Sequence, residues 1–98
     1  MKIEIIILQK FKKELEKLIL NKKLLETDYK DLKDEIAQFP EKGNIIPGTN
    51  GLRKIRLKSP TGGKSGGFRI CYYYIKNKKI FLMLIYSKNT QENLIDEE

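Results

Sequence analysis

The chain has 98 residues, 40% of them hydrophobic, and a net charge of +7; that length holds one domain with one modest core, and the apolar content excludes global disorder. The charge is unevenly placed: residues 1–40 carry nine Lys against eight Asp or Glu, whereas Lys42 to Gln91 carries eleven Lys or Arg and no acid. There is no histidine and one cysteine, Cys71, which excludes Ser-His-Asp triads, Cys-His pairs, histidine metal sites and an intramolecular disulfide.

Ile3 to Leu8 is rich in β-branched residues and apolar on both faces. It predicts a strand inside a sheet. Phe11, Leu15, Leu18 and Ile19 then recur at helical spacing, with Lys12, Lys13, Glu14, Glu16 and Lys17 facing away. Leu25, Tyr29, Leu32, Ile36 and Phe39 continue at spacings of four and three, a second helix capped by Thr27 or Asp28 and ended by Pro40. Asn21 lies between the two stripes and suits a break, so a helical hairpin is expected. Glu41 to Gly51, punctuated by Gly43, Pro47, Gly48 and Gly51, predicts a loop.

Leu52 to Lys58 alternates: Lys54, Arg56 and Lys58 share one face of a strand, Ile55 and Leu57 the other. Ser59 to Gly67 is a glycine-rich loop. Phe68 to Lys76 and Lys79 to Ser87 predict two strands joined by a tight turn at Asn77-Lys78, the second strand central and buried. A short last helix starts near Thr90 and runs into Asp96, Glu97 and Glu98, a poor terminus for the helix dipole. The expected architecture is a single α+β domain over residues 1–98, with two N-terminal helices packed on an antiparallel sheet in the order β-α-α-β-β-β and a short or truncated C-terminal helix.

A one-signed half attracts polyanions; the bland alternative is a merely soluble basic face. A membrane-surface reading needs a basic amphipathic helix, and here the basic half predicts strand. No segment approaches the roughly 18 apolar residues of a membrane span, and no signal peptide is visible, so a cytoplasmic location without membrane contact is expected. Gly63-Lys64-Ser65 lacks the preceding glycine of a P-loop, because Lys58 stands there and no helix follows. No cofactor and no metal are expected. Cys71, on a strand, is expected to be a buried small hydrophobe.

Lys, Arg and Tyr suffice for one reaction in particular. RNA carries its own nucleophile, the 2′-OH beside each phosphate. Arg and Lys can stabilise the charge that builds on phosphorus, and a lysine crowded by other cations is a better base. Lys54, Arg56 and Lys58 supply such crowding on one strand face. A face that only holds phosphates explains the same residues equally well. Tyr72, Tyr73 and Tyr74 alternate faces, so Tyr73 shares the Arg69 face; most of this aromatic surface is expected to be core or rim, with base stacking by one ring open.

Ile46-Pro47-Gly48-Thr49-Asn50-Gly51-Leu52-Arg53-Lys54-Ile55-Arg56, then Gly63-Lys64-Ser65-Gly66-Gly67-Phe68-Arg69-Ile70 with Tyr72-Tyr73-Tyr74, then Tyr86-Ser87-Lys88-Asn89 and Gln91-Glu92 resemble the RelE superfamily of toxins, in particular its HigB-like branch. The resemblance implies a fold like that of microbial ribonucleases and a ribosome-dependent mRNA endonuclease that inhibits translation. It implies catalytic roles for Lys54, Arg56, Arg69, Tyr86 and Lys88, with Arg69 as the phosphate stabiliser. Arg53, Lys58 and Lys64 are assigned to RNA binding. It also implies an antitoxin partner of helix-turn-helix type, through which operator DNA would be reached. The alternatives are a non-catalytic RNA- or DNA-binding module and a degenerate toxin acting only as an antitoxin-bound corepressor.

Overall fold

In the computed structural model, which describes residues 3–57, 67–75 and 78–87, the chain runs β1 (Glu4–Ile7), α1 (Gln9–Leu20), α2 (Glu26–Gln38), β2 (Asn44–Ile45), β3 (Arg53–Leu57), β4 (Phe68–Ile75) and β5 (Lys79–Ser87). The strands form one five-stranded sheet in the order β1-β5-β4-β3-β2. The protein is thus a small α+β domain with two helices packed on a mixed sheet. Lys58, Lys64, Lys76, Lys88, the glycine-rich loop up to Gly66 and the expected last helix lie outside the described residues, as does Asn77.

The sheet is mixed rather than antiparallel because β1 pairs with β5 in parallel, Ile5 opposite Ile80 and Ile7 opposite Leu82. The two helices form the crossover that a parallel pair needs. β1 also sits at the edge, not inside the sheet. Its apolar run packs Ile3 and Ile5 against the core, while Ile6 is partly exposed on the other face and Ile7 is exposed. It says nothing about whether both hydrogen-bonding edges are paired. A further correction is β2, two residues within the expected Glu41–Gly51 loop, which pairs antiparallel with β3 through Asn44 opposite Lys54.

α1 lays Phe11 and Leu15 into the core, and α2 adds Tyr29, Leu32 and Ile36. Phe11 and Tyr29 meet with ring centroids 6.2 Å apart. Asn21 caps α1, as its position suggested, and Lys22 follows at φ 59. The turn then drives Leu24 into the core at 1% exposure. α2 starts two or three residues earlier than a cap at Thr27 or Asp28 would place it: Leu25 occupies the N-cap with no side-chain hydrogen bond, and Glu26 and Asp28 complement the dipole from the first turn. Phe39, expected on the apolar stripe, stands at the C-cap and is 57% exposed.

One face of the sheet meets the helices. Leu57, Phe68, Ile70, Tyr72, Ile80, Leu82 and Ile85 are all buried there with the helix residues. In this layer the Tyr72 hydroxyl is paired twice, donating to the Pro40 carbonyl and accepting from the Gly43 N–H, each at 2.9 Å. Burial raises the Tyr72 hydroxyl above its ordinary value, against smaller opposing effects of the Gly43 hydrogen bond and the Arg53 charge. Gly43 permits this close approach: a Cβ there would lie 2.8 Å from the Tyr72 oxygen.

Candidate nucleic-acid interface

Alternation puts every second residue of β3, β4 and β5 on the opposite face, which no helix covers among the described residues. Arg56 lies directly opposite Arg69, and Arg69 directly opposite Tyr86. These three therefore form one row across three adjacent strands. Lys54, Cys71 and Leu84 form the next row.

Tyr86 reaches this face through an irregularity in β5. Cys71 pairs with Leu84 but Tyr72 pairs with Leu82, so Met83 is one residue too many. Without that bulge, strict alternation from Ile80 and Leu82 would send Tyr86 into the helix-side core. With it, Ile85 turns inward and Tyr86 turns to Arg69. Bulges commonly re-aim side chains in this way beside functional sites.

The loop between β2 and β3 walls the site. Gly48, Asn50 and Gly51 take positive φ values of 80°, 61° and 105°, which explains a glycine-rich, asparagine-bearing segment here. The Thr49 hydroxyl donates to the Ile46 carbonyl at 2.5 Å and accepts from the Leu52 N–H at 3.1 Å. The Tyr73 hydroxyl donates to the Thr49 carbonyl at 2.8 Å. So fastened, the loop presses Ile46 and Leu52 onto Cys71 and Tyr86 in a second, small apolar cluster. Cys71 is fully buried there, as expected of a small hydrophobe.

Arg69 Nη1 is buried and has no hydrogen-bond partner among the described residues. Tyr86 is 5% exposed. Arg56 remains exposed beside them. Like charges directly opposite each other on a sheet are destabilising, and a buried donor left unmatched costs about 1–3 kcal/mol. A bound phosphate would relieve both costs at once, since a guanidinium presents paired donors to two of its oxygens.

The structure therefore brings Lys54, Arg56, Arg69 and Tyr86 to one face. It does not bring Arg53 to them. Arg53 points to the helix side, where its Nη1 donates to the carbonyls of Glu41 at 3.0 Å and Gly43 at 2.7 Å and fastens the segment after α2. Of the three consecutive tyrosines, Tyr72 is core, Tyr74 packs against it, and Tyr73 is the one on the Arg69 face. Sequence reasoning missed the wall residues Ile46, Leu52 and Thr49. The positive-φ signature Gly48-Thr49-Asn50-Gly51 was the available signal.

Elsewhere, a cavity of about 280 Å³ lies at the C-terminal end of α2, lined by Gln38, Phe39, Pro40, Glu41, Lys42 and Tyr74. Its one cation, Lys42, is in an ion pair with Glu35. Among the described residues no helix is long and apolar enough to cross a membrane. No family model matches the chain.

Proposed function

We propose that the chain is the toxin of a type II toxin–antitoxin pair, a RelE-type, HigB-like endoribonuclease that cleaves mRNA on the ribosome and so stops translation. The observation that supports this reading is the row Arg56–Arg69–Tyr86, in which two cations stand in cross-strand register and one holds a buried donor without a hydrogen-bond partner among the described residues. No carboxylate stands between Lys42 and Gln91, which argues against two-carboxylate acid–base chemistry and for a substrate that brings its own nucleophile.

In this reading the scissile phosphate sits on Arg69 and Arg56. The 2′-oxygen attacks phosphorus, the bond to the 5′-oxygen breaks, and the products are a 2′,3′-cyclic phosphate and a 5′-hydroxyl. The two guanidiniums stabilise the extra charge carried by phosphorus in the transition state, where they contribute most to rate. Lys54, one pleat repeat from Arg56 on the same face, supplies an amine for proton transfer, and Lys88 would follow the end of β5. The antitoxin partner would cover this basic face, and the ribosome would present the mRNA to it.

One observation favours a second reading, a module that binds RNA without cutting it. Tyr86 is 5% exposed, and a general acid has to reach the leaving oxygen. Induction of the chain in cells, with mapping of mRNA 5′ ends, separates the two. The toxin reading predicts growth arrest, new 5′ ends within translated codons, and rescue by a small protein encoded next door. Induction without arrest and without new ends overturns it.

A further inference from the structure

Beyond the cationic row, the same open face carries a second surface. Tyr73 lies directly opposite Phe81, and Phe81 directly opposite Ile6. Ile80 and Leu82 point into the helix-side core, so Phe81 between them points outward. Met83 and Leu84 pack at the margin of the small cluster. All five are partly exposed, and Ile75, one repeat beyond Tyr73, is 45% exposed. The open face thus carries a cationic row at one end and the aromatic–apolar row further along, beyond which Ile75 lies opposite Lys79 and Lys79 opposite Glu4.

The two rows lie along one strand. Tyr73 follows Arg69 by four residues on β4 and on the same side, about 13 Å at the rise of a strand. The Tyr73 ring is fixed by its hydroxyl's bond to the Thr49 carbonyl, so its position costs little further ordering on binding. The occupant has to carry anionic groups to Arg56 and Arg69 and flat apolar groups to Tyr73 and Phe81 within that span. A single-stranded polynucleotide does so, because its phosphates are charged and its unpaired bases expose π-faces to aromatic rings. A duplex hides those faces, and an apolar protein segment leaves the buried Arg69 nitrogen unmatched.

We propose that Tyr73 and Phe81 form a base platform, so that the open face is a track for unpaired nucleotides leading from the phosphate held at Arg69. The inference rests on the RNA-binding reading above and adds to it a requirement for single-strandedness and for bases beside the phosphate row.

The test uses two end-labelled oligomers of equal length and charge, hexauridylate and its abasic counterpart, titrated against the full chain at one fixed salt concentration. The platform predicts tighter binding of hexauridylate by on the order of tenfold or more. Phe81→Leu, which keeps an apolar group of similar size and a folded circular-dichroism spectrum, removes that preference without changing the affinity for the abasic oligomer. Phe81→Tyr retains it. Equal binding of the two oligomers by the unaltered chain overturns the platform and leaves the cationic row standing. Binding of neither overturns the RNA reading itself and the platform with it. A concentration-dependent dimer that hexauridylate does not dissociate assigns the face to a second copy and likewise overturns the proposal.

Discussion

The two faces of the sheet are drawn from alternate residues of the same strands, and they solve opposite problems. Arg53 and Lys54 are neighbours, as are Ile70 and Cys71. On the helix face Ile70, Tyr72, Ile80 and Leu82 are each at most 1% exposed, and the Tyr72 hydroxyl is matched at both its donor and its acceptor. On the open face two guanidiniums face each other across β3 and β4, and one keeps an unmatched buried nitrogen among the described residues. The helix side also keeps one unmatched buried hydroxyl among the described residues, that of Tyr29, so what sets the open face apart is the register of two cations. Where local rules of stability are broken in this way, a functional site is the usual reason.

The largest predicted effect tests the bulge that separates the faces in β5. Leu82 is buried under the helices and Leu84 is partly exposed on the other side. Leu82→Ala should cost roughly 2–5 kcal/mol in urea unfolding, and Leu84→Ala clearly less. Equal costs would mean that both residues share one face and that the Met83 bulge is absent. Next in size is Gly43→Ala, whose Cβ meets the Tyr72 ring and the Lys54 carbonyl. It should lose about 1–3 kcal/mol. Pairing it with Tyr72→Phe should cost less than the sum of the two, because the closest contact, at 2.8 Å, is with the oxygen that this change removes.

Arg53 and Lys54 sharpen the contrast at the scale of about 1 kcal/mol. Arg53→Ala should lower the unfolding midpoint, through its two carbonyl bonds, and leave RNA affinity nearly unchanged. Lys54→Ala should do the reverse, weakening RNA binding and flattening its dependence on salt. The smallest effect is expected at Tyr29, whose hydroxyl is buried with no hydrogen-bond partner among the described residues. Tyr29→Phe should lie within about 0.5 kcal/mol of the parent at neutral pH. Burial raises both Tyr29 and Tyr72 above their usual value of 10.0. The unfolded chain therefore releases these protons first as pH rises. The stability they contribute is intact below about pH 10 and is lost above it. In Tyr29→Phe the alkaline loss should be shallower.

Much of this division was legible in the sequence. The spacing of Phe11, Leu15, Tyr29, Leu32 and Ile36 placed the helices, and the alternation from Lys54 to Leu57 assigned the two sides of β3 correctly. The alternation of the consecutive tyrosines was also legible, with Tyr73 on the Arg69 face; that Tyr72 is the fully buried ring was not. What escaped depends on pairing rather than on local pattern. An apolar run such as Ile3 to Leu8 is equally consistent with an edge and a centre. The position of β2 rests on only two residue pairs. The bulge at Met83 has no local signature, so Tyr86 could not be placed opposite Arg69 by counting. Arg53 looked like one more cation in a basic stretch, and only the fold shows that it serves carbonyls behind the sheet.

The central claim is that Arg69 is held for a phosphate and not for the fold. Single-turnover cleavage of ribosome-bound mRNA by Arg69→Ala and Arg69→Lys, with urea midpoints measured on the same preparations, tests it directly. Arg69→Ala removes one member of a like-charge pair and should keep the parent's midpoint or exceed it, and Arg69→Lys, which keeps the charge, should match the parent. Both should cleave slower by on the order of a hundredfold or more, because a lysine cannot copy the planar fork of donors. Cleavage at the parent's rate by Arg69→Ala, or a collapse of its unfolding midpoint, would contradict the account.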